Sequence, residues 1–86
     1  MPEISLFFEI RITINFNGHV PPHFYAEYNG NQALIDIINC RVLKGSLPKR
    51  QLKLVLVWAE IHKDELMQNW ELANSGQPLY KIAPLS

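Results

Sequence analysis

Apolar and polar positions alternate with period two from Phe8 onward. Phe8, Ile10, Ile12, Ile14 and Phe16 are apolar, and Glu9, Arg11, Thr13 and Asn15 between them are polar. Period two with β-branched residues predicts a half-buried strand over 7–16. Asn17-Gly18-His19-Val20-Pro21-Pro22 ends it, because paired prolines cannot sit inside a ladder. Alternation resumes from His23 to Tyr28, with Phe24, Ala26 and Tyr28 on one side and His23, Tyr25 and Glu27 on the other. Asn29-Gly30 then predicts a two-residue type I′ hairpin turn into a returning strand over 32–38. A turn at Asn39-Cys40 leads to a short strand over 41–44.

From Pro48 the period changes. Leu52, Val55, Leu56, Ala59, Leu66, Trp70 and Ala73 fall on one stripe of a 3.6-residue helix. Leu54, Val57, Trp58 and Ile61 widen the apolar surface in its first half. That half is buried on two sides or meets a partner. Ser46 is placed to cap, Pro48 suits the first turn, and Asn74-Ser75-Gly76 with Pro78 marks the stop. A helix over 48–74 would be about 40 Å long. Asp64 is placed to cap a second helix, so a kink near His62-Lys63-Asp64 fits the pattern too. The tail over 79–85 is apolar at Leu79, Ile82 and Leu85. It is expected to lie extended along the domain, or to pair with an edge or a second subunit.

The expected class is α+β: one domain over 1–86, a four-stranded, mostly antiparallel meander, then one long helix and a tail. At 86 residues a chain buries only about 60–65% of its unfolded surface, so oligomerisation would add useful stability.

Charge changes the picture locally. The formal net charge is zero, so no global pull toward nucleic acid or membrane follows. Yet Arg41, Lys44, Lys49, Arg50 and Lys53 are five of the eight cations, and no acid lies between residues 37 and 59. Cations in a first helical turn oppose the macrodipole at a cost of roughly 0.3–1 kcal/mol each. Either they are simply solvated, or this end meets a nucleic-acid backbone or an acidic partner. A single cysteine, Cys40, excludes an internal disulfide and fits a reducing cytoplasm. No apolar run is long enough to span a bilayer, and no signal peptide is evident.

Candidate chemistry gathers on the polar sheet face. The two-residue turn fixes the register, so His23 faces Asp36, Tyr25 faces Leu34 and Glu27 faces Gln32. Arg11, Thr13 and Asn15 should share that face. His23 as base, Asp36 orienting its ring, Arg11 as phosphate clamp and Tyr25 nearby form a set suited to phosphodiester cleavage. The plain alternative is the ordinary solvated face of an antiparallel sheet. His19, His23 and Glu27 supply too few ligands for a zinc site, so no metal is expected. His62 reads as a hydrogen-bonded histidine at the core's margin. Cys40 reads as incidental. No phosphate-cradling glycine loop, nucleophile elbow or cofactor motif is present, so no cofactor is expected.

Pro2-Glu3-Ile4, the loop His19-Val20-Pro21-Pro22-His23-Phe24, Leu47-Pro48, Trp58, Asn69-Trp70 and Ile82-Ala83-Pro84-Leu85 together resemble a small bacterial family, domain of unknown function 4160. The resemblance spans nearly the whole chain. Family members typically carry a further histidine where this chain has Tyr25, which speaks against a multi-histidine site here. The resemblance implies a gene paired with another very small gene, in an arrangement like a toxin–antitoxin module, and some members are labelled transcriptional regulators. The favoured expectation is a cytoplasmic binding module for protein or nucleic acid. Its partner would be a second copy or a small neighbour-encoded protein, docked on Leu54, Val57, Trp58 and Ile61. The competing expectation is a ribonuclease-like toxin acting through His23, Asp36, Tyr25 and Arg11.

Overall fold

The computed structural model describes residues 3–16 and 20–85. The chain is α+β: five antiparallel strands in sequential order, then two helices. The strands are β1 (Glu3–Phe7), β2 (Ile10–Thr13), β3 (His23–Tyr28), β4 (Asn31–Asp36) and β5 (Arg41–Gly45). The helices are α1 (Lys49–Ile61) and α2 (Lys63–Asn74).

The additional strand comes from a turn that the alternation hides. Phe7 pairs with Ile10, so Phe8 and Glu9 alone close the β1–β2 hairpin. Both take positive φ, 48° and 64°. Such a turn normally carries Gly, Asn or Asp, and side chains in this region cost about 1 kcal/mol or more each. Neither residue signals a turn, so the apolar alternation reads straight through it. Phe8 is consequently exposed, and Phe7 takes the core position.

The Asn29-Gly30 hairpin has the expected form, with φ of 49° and 84°. The six β3–β4 pairs follow the expected register from Tyr28 opposite Asn31 to His23 opposite Asp36. Beyond β2, Arg11 pairs with Glu27 and Thr13 with Tyr25. One face of the sheet therefore carries Ile12, Phe24, Ala26, Ala33 and Ile35, all fully buried. The other carries Arg11, Tyr25, Glu27, Gln32, Leu34 and Lys44, none of them buried, together with Thr13 and Asp36, which are.

The helical stretch is broken at His62, whose φ of −106° and ψ of 25° interrupt the helix. No dimension of the folded molecule exceeds 33 Å, whereas an unbroken helix would run about 40 Å beside the sheet. The break brings α2 back over it, with Leu66, Asn69, Trp70 and Ala73 buried. His62 itself caps both helices, and Asp64 lies in the first turn of α2 instead of capping it. Ser46 does not cap α1. Its N–H bonds the Gln32 carbonyl at 3.1 Å, extending the β4 ladder, and Pro48 takes the cap position without a side-chain hydrogen bond. The stop is as expected: the Gln77 N–H reaches the Leu72 carbonyl and the Gly76 N–H that of Ala73, closing α2 in a Schellman motif.

Trp58 is wholly buried. It was an expected docking residue, but its ring packs against Phe7 at 5.1 Å and Phe24 at 6.0 Å. Its Nε1 donates to the Ala83 carbonyl at 2.8 Å. Buried Asn69 donates from Nδ2 to the Tyr80 carbonyl and accepts at Oδ1 from the Tyr80 N–H. The Ile82 N–H then bonds the Ile4 carbonyl, and the Ser5 hydroxyl bonds the Ile82 carbonyl. The tail thus crosses both helices and lines the outer edge of β1.

Gly45 ends β5 at φ +77°, and a Cβ there would sit 2.2 Å from the Gln32 carbonyl oxygen. Gly30 has positive φ but open space around it. Gly45→Ala should therefore destabilise by about 3 kcal/mol or more, and Gly30→Ala by about 1 kcal/mol. Urea unfolding followed by circular dichroism measures both, and equal costs would contradict the close approach of β4 to Gly45.

Candidate functional site

The open sheet face and the β5–α1 corner carry the candidate side chains. His23 opens β3 and lies opposite Asp36 in register. The side chains nevertheless turn apart. The Asp36 carboxylate accepts from the Ile38 N–H at 2.9 Å, the Asn39 N–H at 3.2 Å and the Asn39 amide at 2.9 Å. Arg41 Nε stands 3.8 Å away. Asp36 is thereby an Asx cap that holds the β4–β5 turn, in which Cys40 takes φ 53°. Burial by itself would push its pKa up, but the Asn39 side chain, the Asn39 and Ile38 N–H groups and the Arg41 charge outweigh burial and hold it below 3.8.

His23 is oriented by a different group. Its Nδ1 lies 2.8 Å from the Pro21 carbonyl. Its ring packs against Trp70 of α2 at 4.9 Å and edge-on to Tyr25 at 5.8 Å. Among the described residues no hydrogen bond or ion pair joins His23 to Asp36. The Trp70 contact has no signal in the strand pattern, since it joins residues 47 positions apart around one end of the sheet. Arg11 stands 3.4 Å from Glu3 and 3.9 Å from Glu27, so its charge is shared between two carboxylates. Asp36 and Arg11 are thus bound to local partners, and of the expected set Tyr25 alone adjoins His23.

His19 lies outside the described residues. Among the described residues no three His, Cys, Asp or Glu side chains gather as metal ligands. His62 pairs through Nδ1 with Glu65 at 2.6 Å and packs on Trp58. Cys40 is half-buried with Sγ 3.8 Å from the Leu56 carbonyl. Burial and then the Glu60 charge push its thiol pKa up.

Two shallow grooves mark the open face. One, of about 250 Å³, is lined by Tyr25, Gln32, Leu34, Lys44 and Gly45. The other, of about 220 Å³, is lined by Arg11, Thr13, Glu27 and Gln32. Gln32 joins the two, a role invisible before the register placed it between them.

The basic corner is built by β5 and the first turn of α1. Arg41, Lys44, Lys49, Arg50 and Lys53 are all exposed. Of these, Arg41 alone has a carboxylate within ion-pair distance among the described residues. The first turn of α1 holds no acid and its cap supplies no acceptor, so its free N–H groups add to the positive potential. Of the expected docking residues, Val57 and Ile61 are exposed, Leu54 is half-buried, and Trp58 belongs to the core.

A five-stranded meander covered by a broken helix and a strapped tail, with a polar open face and a basic corner, is the class that this fold defines. The chain belongs to the family described as Domain of unknown function (DUF4160), whose model matches residues 9–71. No curated protein and no solved structure matches the chain significantly. No helix among the described residues is long and apolar enough to cross a membrane.

Because the folded Asp36 carboxylate has a lowered pKa, its contribution to stability is complete above its ordinary value and is lost as pH falls through the lowered one. Wild type should lose stability between about pH 5 and pH 2, and Asp36→Ala should lose less over the same range. Thermal melts across that range test this, and identical slopes for the two proteins would show that the turn does not need the carboxylate.

Proposed function

We propose that this chain is a small binding module that takes an anionic partner, a nucleic-acid strand, on its basic corner. The observation that carries this reading is the group of exposed cations Lys44, Lys49, Arg50 and Lys53, which have no ion-pair partner among the described residues. Lys49 and Arg50 open α1, whose first turn holds no acid, Lys53 follows one turn on, and Lys44 lies in β5 just before the helix. A chain selected for stability alone would place carboxylates there. Cations held against the macrodipole are instead suited to phosphates, which supply the missing negative charge.

The neighbouring groove favours a nucleic acid over an acidic peptide. Tyr25 offers a ring face, Gln32 an amide and Lys44 an ammonium, side by side on an open sheet. Arg41, which is engaged with Asp36, flanks the same strand. Within a toxin–antitoxin-like gene pair, this reading assigns the chain a regulatory, binding role. Cleavage would need His23 to act with Asp36 and Arg11, and the local partners of those two side chains give that mechanism no support.

The test is fluorescence anisotropy with labelled single-stranded RNA, single-stranded DNA, duplex DNA and an acidic peptide of matched charge. Wild type should bind at least one oligonucleotide in a salt-dependent manner. Lys44→Glu/Lys49→Glu/Arg50→Glu should weaken that binding tenfold or more and reduce the slope of log K against log salt by about 2–3. Preference for the peptide, or unchanged affinity in the triple variant, would refute the reading. RNA incubated with wild type should remain full length, and cleavage that disappears in His23→Ala would favour the nuclease instead.

A further inference from the structure

The outward ridge of α1 carries an apolar strip that neither the core nor the basic corner uses, and Lys53 is the one residue it shares with that corner. Val55, Trp58 and Ala59 face the sheet and are buried. On the opposite side Val57 is 53% exposed and Ile61 is 64% exposed, one turn apart. Half-buried Leu54 forms the shoulder of the same strip. At 100° per residue, Lys53 and Glu60 lie together along one margin of it. Both are exposed, and neither has an ion-pair partner among the described residues.

We infer that this ridge is the interface for a second copy of the chain, packed antiparallel along α1 about a two-fold axis near Val57. The arrangement follows from reversing the pattern. Antiparallel pairing centred near Val57 sets Lys53 opposite Glu60 of the partner subunit, and Leu54 opposite the partner's Ile61. The two-fold repeats both pairings, and Val57 meets its own copy in the middle. The margin that carries Lys53 and Glu60 faces the same margin of the partner, so two ion pairs flank a closed apolar strip. This is the isologous rule, in which residue i meets j and j meets i. A parallel arrangement would instead bring Lys53 to the level of Lys53 and Arg50 to that of Arg50. A foreign partner would have no reason to share the spacing of seven residues between the cation and the anion, whereas this chain supplies both halves itself.

The strip is short, so the dimer sits at the small end of specific interfaces, with dissociation on the order of 10 µM. Assembly here does not depend on anion binding. It engages Lys53 but leaves Lys44 and Lys49 free, and it is read in the absence of any nucleic acid, so either property can fail without the other.

Sedimentation velocity on the full chain, from about 1 to 300 µM, tests the inference. Wild type should pass from monomer to dimer across that range. Val57→Glu changes an exposed position, so it should retain the wild-type melting transition and remain monomeric throughout. Lys53→Glu and Glu60→Lys should each weaken association tenfold or more by setting like charges opposite one another. The double variant Lys53→Glu/Glu60→Lys should recover wild-type association, because the swapped pairs are again complementary. A wild type that stays monomeric, a folded Val57→Glu that still dimerises, or a double variant no better than the singles would overturn the interface.

Discussion

The burial of Trp58 is the contact on which the rest of the molecule depends. The indole is large, and placing it against Phe7 and Phe24 joins α1 to the first and third strands. Its Nε1 cannot be left unpaired in such a place, because an orphaned buried donor costs about 1–3 kcal/mol. The Ala83 carbonyl meets that need. The tail is therefore a structural requirement of the core and not an appendage to it. Asn69 imposes the same demand from α2, with both ends of its amide matched to the Tyr80 backbone. Once the tail is held at Tyr80 and Ala83, Ile82 lies against Ile4 and the edge of β1 is occupied. A small chain with an exposed sheet edge invites uncontrolled pairing, and this strap removes one such edge.

The polar residues divide by how fully their charges are already used. Asp36 is committed to the β4–β5 turn by three N–H donors, and that commitment is what gives β5 its direction. Arg11 is held between Glu3 and Glu27. His62 is held by Glu65. Lys44, Lys49, Arg50 and Lys53 around the β5–α1 connection, and Glu60 on the outward ridge of α1, have no ion-pair partner among the described residues. Architecture thus consumes the residues that looked most like chemistry and leaves free those suited to binding. The break at His62 serves the same division, for it lets α2 cover the sheet while the outer side of α1 stays open.

Much of the fold was legible in the residue pattern, because period and turn chemistry are local properties. Asn29-Gly30 sets a turn whose geometry dictates every pair between β3 and β4, and all six pairs follow. The change of period at Pro48 separates sheet from helix for the same reason. The cluster of cations, too, needs only the sequence, since no acid lies nearby to neutralise it.

What remained hidden depended on contacts between distant residues. The Phe8-Glu9 turn is adopted against local preference because Phe7 and Ile10 both gain the core. The helix breaks at His62, and α2 beyond the break buries Leu66, Asn69, Trp70 and Ala73. Trp58 and Val57 are neighbours of similar apolar character, yet one is the centre of the core and the other faces outward, which only the seating of α1 on the sheet decides. Register brought His23 opposite Asp36, but the direction of each side chain was settled by the Asn39 amide and the Pro21 carbonyl. The sequence by itself determined the α+β class, the β3–β4 register and the distribution of charge, because these depend on periodicity and on adjacent residues. Tertiary structure decided which side chains met and which charges stayed free, because packing forced the turns, the helix break and the path of the tail.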